Sequence, residues 1–414
     1  MAKILLLTLV YAPDSVSTAM LMTTLAQELK TLGHEMTVLT TTPHYNEDPI
    51  ARAKQPLTPK WKGLLYESNN DGIRVLHATI PVKGKRVGAR LLDYLRFHAV
   101  STVAALVSVG HYDLIIAPSP PLTIGLSAWI LSLLRRVPFI YNVQEIYPDV
   151  AVKLGVLKNP RVIRFFEWME TFIYDRSKVV TVISEWFRRI LINKGVPPPK
   201  LVVIPNFVDV EYMKPSAKDN PFTTQHDLAD KFVVMYAGNI GLTQGFEIIL
   251  EATAHLRHLP DLHFVIVGDG ARRAWLEEQV STGRYPNVLL LPYQSPTVMP
   301  QLYGACDLCL VPLKKGTAQD TFPSKIYTIM AAAKPVVASA DPDSELAWLM
   351  GESGCGWAVP PDDANALAAA IETAYRERDT LGGKGEAGRL YVHAHHSSRA
   401  IGQKYDALIQ ELLQ

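Results

Sequence analysis

Short, nearly continuous apolar runs recur from one end of the chain to the other, and between them apolar residues return every three or four positions. The runs cover residues 4–9, 36–40, 74–78, 114–117, 138–142 and 179–184, then 233–237, 263–267, 288–291, 308–313 and 335–339. Runs without polar alternation are strands buried on both faces, and the helical period between them supplies the covering layers. The pattern predicts parallel sheets in an α/β protein. Residues 3–40 read strand, loop, helix (19–32), Gly33, strand; residues 232–267 repeat the order with the loop Gly238-Asn239-Ile240-Gly241 and a helix over 247–256. Both are βαβ openings of a doubly wound domain. Between them, residues 215–231 are polar, contain Pro221 and lack periodicity, which makes them the linker candidate.

Length and charge support two domains. At 414 residues, 48% hydrophobic, the chain exceeds what one core organises. The expected division is 1–205 and 206–396, with a final helix over 397–414 long enough to pack back on the first domain. Residues 1–200 carry 24 Lys and Arg against 15 Asp and Glu, a surplus of +9; the remainder carries 17 against 25, a balance of −8. In the basic half Lys83, Lys85, Arg86, Arg90 and Arg96 run into an apolar helical stretch. Such a cluster suits an anionic membrane surface, or is a solvated helix face. No aromatic-rich RNA motif accompanies it, so nucleic acid is not an expected partner.

The longest apolar run, 122–134, is too short to span a bilayer and ends at Arg135-Arg136. Residues 3–10 resemble the core of a signal peptide but lack a small-residue cleavage pattern, and read as a first strand. Three cysteines are too few for a disulfide framework and point to a reducing, cytoplasmic setting. Cys306 and Cys309 form a C-x-x-C with no second pair to complete a zinc site, and read as buried structural residues.

Candidate chemistry concentrates after the run 308–313, where a loop at a strand's carboxyl end feeds a helix. Open α/β sheets bind ligands there. Pro323 suits the first helical position, and the free N–H groups of the helix it opens would face an anion. Lys325 in the first turn opposes the helix dipole unless something negative sits beside it. A phosphate accounts for both features; a solvent-pointing lysine at an ordinary helix start is the alternative. Asp341-Pro342-Asp343 follows a strand and reads as a turn rather than a metal site. His393-Ala394-His395-His396 has no nearby carboxylate or cysteine and reads as a surface cluster, so no metal is expected. No G-x-G-x-x-G follows the first strand, which argues against a Rossmann dehydrogenase.

Further along, Tyr141-Asn142-Val143-Gln144-Glu145-Ile146-Tyr147-Pro148-Asp149, Val182-Ile183-Ser184-Glu185, Val203-Ile204-Pro205-Asn206-Phe207-Val208-Asp209, Ala237-Gly238-Asn239-Ile240-Gly241 with Gln244-Gly245, Val267-Gly268-Asp269-Gly270 and Pro323-Ser324-Lys325 occur in this order. Together they resemble the retaining glycosyltransferases of family 4, and more narrowly the bacterial exopolysaccharide and colanic-acid type. The resemblance covers nearly the whole chain. It implies the GT-B fold, two Rossmann-like doubly wound parallel-sheet domains facing across a cleft. It implies a nucleotide-diphosphate sugar as donor, a UDP-sugar foremost, no cofactor, and a lipid-linked or polysaccharide acceptor at the inner face of the membrane.

By the same resemblance Gly268, Asp269, Gly270 and the backbone near Tyr293 would frame the base. Gly238, Asn239, Gly241, Gln244, Phe322, Pro323, Ser324 and Thr328 would hold the diphosphate and ribose. Lys325 would stabilise charge on the leaving phosphate, and Asp320 would orient the sugar. Glu145 would sit near the acceptor or the reacting carbon, unless it is a helix-capping carboxylate. The chain departs from the family where relatives commonly carry a Glu-x7-Glu pair, with Asp320 and Thr328 in those places. It departs again where relatives carry Arg and Lys, with Asn239 and Gln244, leaving neutralisation to Lys325, with Lys314 or Lys315 as candidate helpers. A sugar-nucleotide epimerase of the same architecture and a donor-binding relative that has lost catalysis are the competing readings.

Overall fold

The computed structural model describes residues 1–14, 16–44, 49–80, 87–153, 155–317 and 322–414. The chain divides into two compact units, one of Met1–Asn206 with Ser398–Gln414, the other of Phe207–Ser397. The stretch 215–231 is not a linker: it lies inside the second unit, where Phe222, Thr223 and Leu228 are buried and Asn220 caps a short helix, Pro221–Gln225. Its polar residues cap and turn the chain, which hides the few apolar anchors from a search for periodicity.

The first unit is built on nine strands: β1 (Lys3–Leu7), β2 (Glu35–Thr41), β3 (Thr58–Lys60), β4 (Leu65–Asn70), β5 (Ile73–Ala78), β6 (Leu114–Pro118), β7 (Phe139–Val143), β8 (Val179–Val182) and β9 (Leu201–Val203). They form one sheet in the order β3-β4-β5-β2-β1-β6-β7-β8-β9. The pairing is parallel except for β3, β4 and β5, which form an antiparallel edge. The sequence pattern omits β3, β4 and β9. The first is three exposed residues and the second carries polar side chains, as an edge strand tolerates. The final helix, Ser398–Leu413, packs on the helix Ser17–Thr31 of this unit. Asp406 meets His34 Nε2 at 2.9 Å, and Tyr405 accepts a hydrogen bond from Asn142 at 3.1 Å.

The second unit carries β10 (Phe232–Ala237), β11 (Leu262–Val267), β12 (Val288–Leu291), β13 (Leu308–Pro312), β14 (Val336–Ser339) and β15 (Gly356–Val359), all parallel. Their order is β12-β11-β10-β13-β14-β15. Alternate residues of β10 enter two cores: Val233, Met235 and Ala237 on one face, Phe232, Val234 and Tyr236 on the other. Strand order runs outward in both directions from the β10–β13 pair, so the chain reverses there. In a doubly wound sheet that reversal opens a crevice at the carboxyl ends of the two strands.

Candidate active site

Both strands of the reversal end in the segments singled out from sequence. β10 runs into Gly238, whose φ is +139°, and β13 leads to the helix Lys325–Ala331. The Lys325 side chain spans from this helix to the β10 loop. Its Nζ lies 3.8 Å from the centroid of the Tyr236 ring, and a Cβ placed on Gly238 would come within 2.9 Å of it. The residue as a whole is partly buried, whereas the ammonium nitrogen is buried and has no hydrogen-bond partner among the described residues. Desolvation holds its pKa down to about 7. The π face of Tyr236 favours the cation but cannot accept as an oxygen does. Lys325 therefore does not point to solvent: its charge lies beneath the exposed backbone of Gly238, under-compensated and within reach of an anion at the loop.

The helix begins at Lys325 rather than at Pro323. Pro323 and Ser324 precede it, and their carbonyls accept from Ile326 and Tyr327 at 3.0 and 3.1 Å in a tight first turn. The proline carbonyl thus contributes to the entry where the sequence suggested that its ring would. Phe322 stacks on Tyr327 at 5.3 Å, and Tyr327 stacks on His396 at 4.1 Å. His396 is accordingly a buried ring in an aromatic column, not a member of a surface cluster, while His395 is exposed. Thr328 is half-buried one turn after Lys325. Asp320 lies outside the described residues.

The two glycine loops are bound to each other. Ile240 donates its N–H to the Asp269 carbonyl at 2.8 Å, and Gly238 donates to Val267 at 2.9 Å. A Cβ on Gly268, where φ is +149°, would overlap the Gly238 carbonyl oxygen, and one on Gly270 would lie 2.5 Å from the Ile240 carbonyl oxygen. Gly268 and Gly270 are thus required by loop-to-loop packing, which makes Gly-Asp-Gly more than a strand-end turn. The Asp269 carboxylate accepts from the Gly270 N–H at 2.7 Å, and its side chain is exposed. Tyr293, just past β12, is 47% exposed.

Gln244 serves the loop itself. Its Oε1 accepts from the Gly241 N–H at 3.1 Å and its Nε2 donates to Thr243 at 2.9 Å. Gly241 thereby has its N–H committed within the loop, whereas Asn239 is exposed at its tip. Lys314 pairs with Glu247 at 3.3 Å, and the same carboxylate takes Arg272. That pairing compensates Lys314 as Lys325 is not compensated.

Sequence reasoning missed Tyr236 and Arg273. Arg273 Nη1 donates to the carbonyls of Gly268 and Leu291 at 2.9 and 2.5 Å, clamping the ends of β11 and β12. Tyr236 had one legible signal, a phenol in an otherwise apolar strand two residues before the glycine loop. Its hydroxyl donates to Asn239 O at 2.6 Å. Cys306 and Cys309 are buried beside β13 with their sulfurs 3.3 Å apart. The Asp341 carboxylate accepts from Gly316 N at 2.8 Å and ties down a turn.

In the first unit, Glu145 sits in the bend after β7 and is exposed. Surrounding protein crowds it enough for desolvation to raise its carboxyl above the usual range. Solvent still reaches the group, so that shift carries no stability argument. Its side chain makes no hydrogen bond or ion pair with the described residues, so it caps no helix. Lys83, Lys85 and Arg86 lie outside the described residues; Arg90 and Arg96 belong to the helix Val87–Val107, with Arg96 exposed.

Residues 19–206 match the glycosyl transferase 4-like domain, and residues 231–377 match the glycosyl transferases group 1 domain. The chain is 29% identical over 311 residues to a probable glycosyltransferase, WbjE, of Pseudomonas aeruginosa, covering 73% of this chain and 75% of that one. It is 27% identical over 381 residues to WcaI of Escherichia coli K12, a putative colanic acid biosynthesis glycosyl transferase, covering 90% and 92%. Its fold is similar to that of Anabaena HepE, solved in complex with UDP and glucose, with a TM-score of 0.73 at 19% identity over 99% of this chain and 100% of that one. With the two domain matches falling in the two structural units, the chain belongs to the family 4 glycosyltransferases of the GT-B fold, colanic-acid type.

Proposed function

We propose that this glycosyltransferase takes its sugar from a UDP-sugar and passes it, with retention of configuration and without a metal ion, to a lipid-linked or polysaccharide acceptor in cell-surface polysaccharide assembly. The observation that carries the donor assignment is the buried ammonium of Lys325 beneath Gly238 at the strand reversal, which has no hydrogen-bond partner among the described residues. A diphosphate at the loop would accept from that ammonium, and the charge-assisted bond would be strengthened by the burial of the nitrogen. The complex of HepE with UDP supports uracil as the base, and the half-exposed Tyr293 is suited to stack on it.

In the transfer, the bond from the anomeric carbon to the β-phosphate oxygen breaks while the acceptor oxygen bonds to the same face of that carbon. The acceptor's proton passes to the departing phosphate. Charge grows on the phosphate as this happens, and Lys325 stabilises it there, the part a divalent cation plays in other transferases. Glu145 is assigned to the acceptor side. The enzyme is placed peripherally on the inner face of the membrane, where lipid-linked acceptors lie, with the basic first unit toward anionic lipid.

A thermal-shift screen against UDP, GDP, ADP and their sugar conjugates tests the donor assignment, since a ligand bound only by the folded state raises its stability by mass action. The expected result is a shift with UDP and UDP-sugars that Lys325→Ala abolishes. A shift of equal size in Lys325→Ala would remove the lysine from the site. Donor binding without sugar transfer to any acceptor would favour a relative that has lost catalysis. Conversion of the sugar nucleotide without acceptor would favour an epimerase.

A further inference from the structure

The helix Pro160–Arg176 of the first unit buries Met169, Ile173 and Tyr174 on its inner side. On its outer side Phe165 is 51% exposed and Trp168 is 58% exposed, three residues apart and therefore adjacent on one face. Their rings lie 5.9 Å apart, and Trp168 stacks on Phe172 at 5.6 Å, which in turn meets Trp129 of the neighbouring helix Ile124–Arg135 edge-on at 4.9 Å. That neighbour also exposes Leu133 and Leu134, at 65% and 58%. Packing thus holds large aromatic side chains rigidly outward at a site where a water-facing helix would carry polar residues.

The surrounding charge is mainly positive. From 152 to 168 the sequence carries Lys153, Lys158, Arg161 and Arg164 against Glu167 alone, and Lys158, Arg161 and Arg164 are exposed. A second copy of this face would oppose cation to cation across a twofold interface, which argues against self-association. Tryptophan and phenylalanine flanked by lysine and arginine match the boundary between lipid headgroups and acyl chains, where the rings enter the apolar layer and the cations meet phosphate.

We propose that the outer face of Pro160–Arg176, led by Phe165 and Trp168 and flanked by Arg161 and Arg164, inserts into the headgroup region of an anionic bilayer. This rests on the membrane placement proposed above and names a surface for it distinct from the cluster at Lys83, Lys85, Arg86, Arg90 and Arg96. The enzyme would be held by shallow insertion as well as by charge, and its attachment would persist in part at salt concentrations that remove purely electrostatic binding.

The test is flotation of the full chain with vesicles of phosphatidylglycerol mixed with phosphatidylcholine, and with phosphatidylcholine alone. The native protein is expected to float with the anionic vesicles. Phe165→Ser with Trp168→Ser is expected to lower the partition coefficient by at least about tenfold, since two partly exposed rings leave the lipid. Because both side chains are more than half exposed, the double variant is expected to stay folded, with a melting temperature slightly below the native one from the lost stacking on Phe172, and its nucleotide-induced thermal shift should be unchanged. Full flotation of the double variant, with loss only when the five residues of the other cluster become Ser, would overturn the inference and leave the membrane reading intact. No flotation of the native protein would overturn both. A concentration-dependent native dimer abolished by the double variant would assign the face to a second copy and overturn the inference.

Discussion

His77 and His98 of the first unit and Lys325 of the second are all desolvated, but their surroundings differ. In the first, His77 donates from Nδ1 to the Thr41 carbonyl at 3.0 Å and bonds Ser68 at 2.7 Å; His98 bonds Ser127 and Thr123 at 2.9 and 2.8 Å. Burial pushes both down to about 4, so each ring is neutral and hydrogen-bonded at physiological pH. In the second unit Lys325 is also desolvated, but among the described residues its ammonium has no hydrogen-bond partner and lies over the Tyr236 ring. A partnered buried base is an internal strut that stabilises its fold. An unpartnered one costs stability, and on the proposed donor assignment a ligand would complete it. The contrast separates structure from function more sharply than the position of either residue in sequence.

The largest expected effect comes from removing the unpartnered group. Lys325→Met is expected to lower the sugar-transfer rate by about 10²–10³-fold, the scale on which one preorganised electrostatic contact acts. The same change should leave the ligand-free protein as stable as before, or more stable by about 1–3 kcal/mol, because a buried charge has been exchanged for an apolar chain. Rate loss accompanied by equal loss of thermal stability would show that Lys325 is a strut like the histidines. Next in size is Gly268→Ala, whose methyl group would overlap the Gly238 carbonyl oxygen. It is expected to cost about 3 kcal/mol in denaturant unfolding of the second unit and to weaken nucleotide binding by displacing the Gly238 loop.

A third effect sharpens the comparison through pH. His77 and His98 titrate near 4 in the folded state against about 6.5 unfolded, so the unfolded chain binds more protons between those values. Stability therefore rises with pH across that window and is lost on acidification from about 6.5 toward 4, by up to about 3 kcal/mol for each ring. His98→Gln, which keeps hydrogen-bonding capacity but does not protonate there, is expected to flatten the acid limb of unfolding curves. An unchanged acid limb would mean that other groups govern it.

Much of the fold was legible because it rests on continuous apolar runs: β10, β11 and β13 announce themselves, and the glycine loops follow them. What escaped detection depends on tertiary context. β4, with Glu67 and Asn69 among its residues, reads as loop until its partner strands are known. The role of Gly268 depends on the Gly238 loop, thirty residues away in sequence, and appears only when β10 and β11 lie side by side. Lys325 was visible as an anomaly at a helix start, but nothing local says that its nitrogen reaches Tyr236 across the sheet. Pro323 was misplaced by two positions because a tight turn precedes the helix proper.

Titration calorimetry of UDP at pH 8, in buffers of differing ionisation enthalpy, tests the central claim most directly. At that pH Lys325, with its pKa near 7, is mostly neutral in the free protein, and a diphosphate that needs the cation must draw in a proton. Proton uptake is expected on binding, with an affinity that weakens by up to about tenfold per unit of pH above 7, both absent in Lys325→Met. UDP binding of equal strength in native and Lys325→Met protein, with no proton uptake in either, would contradict it.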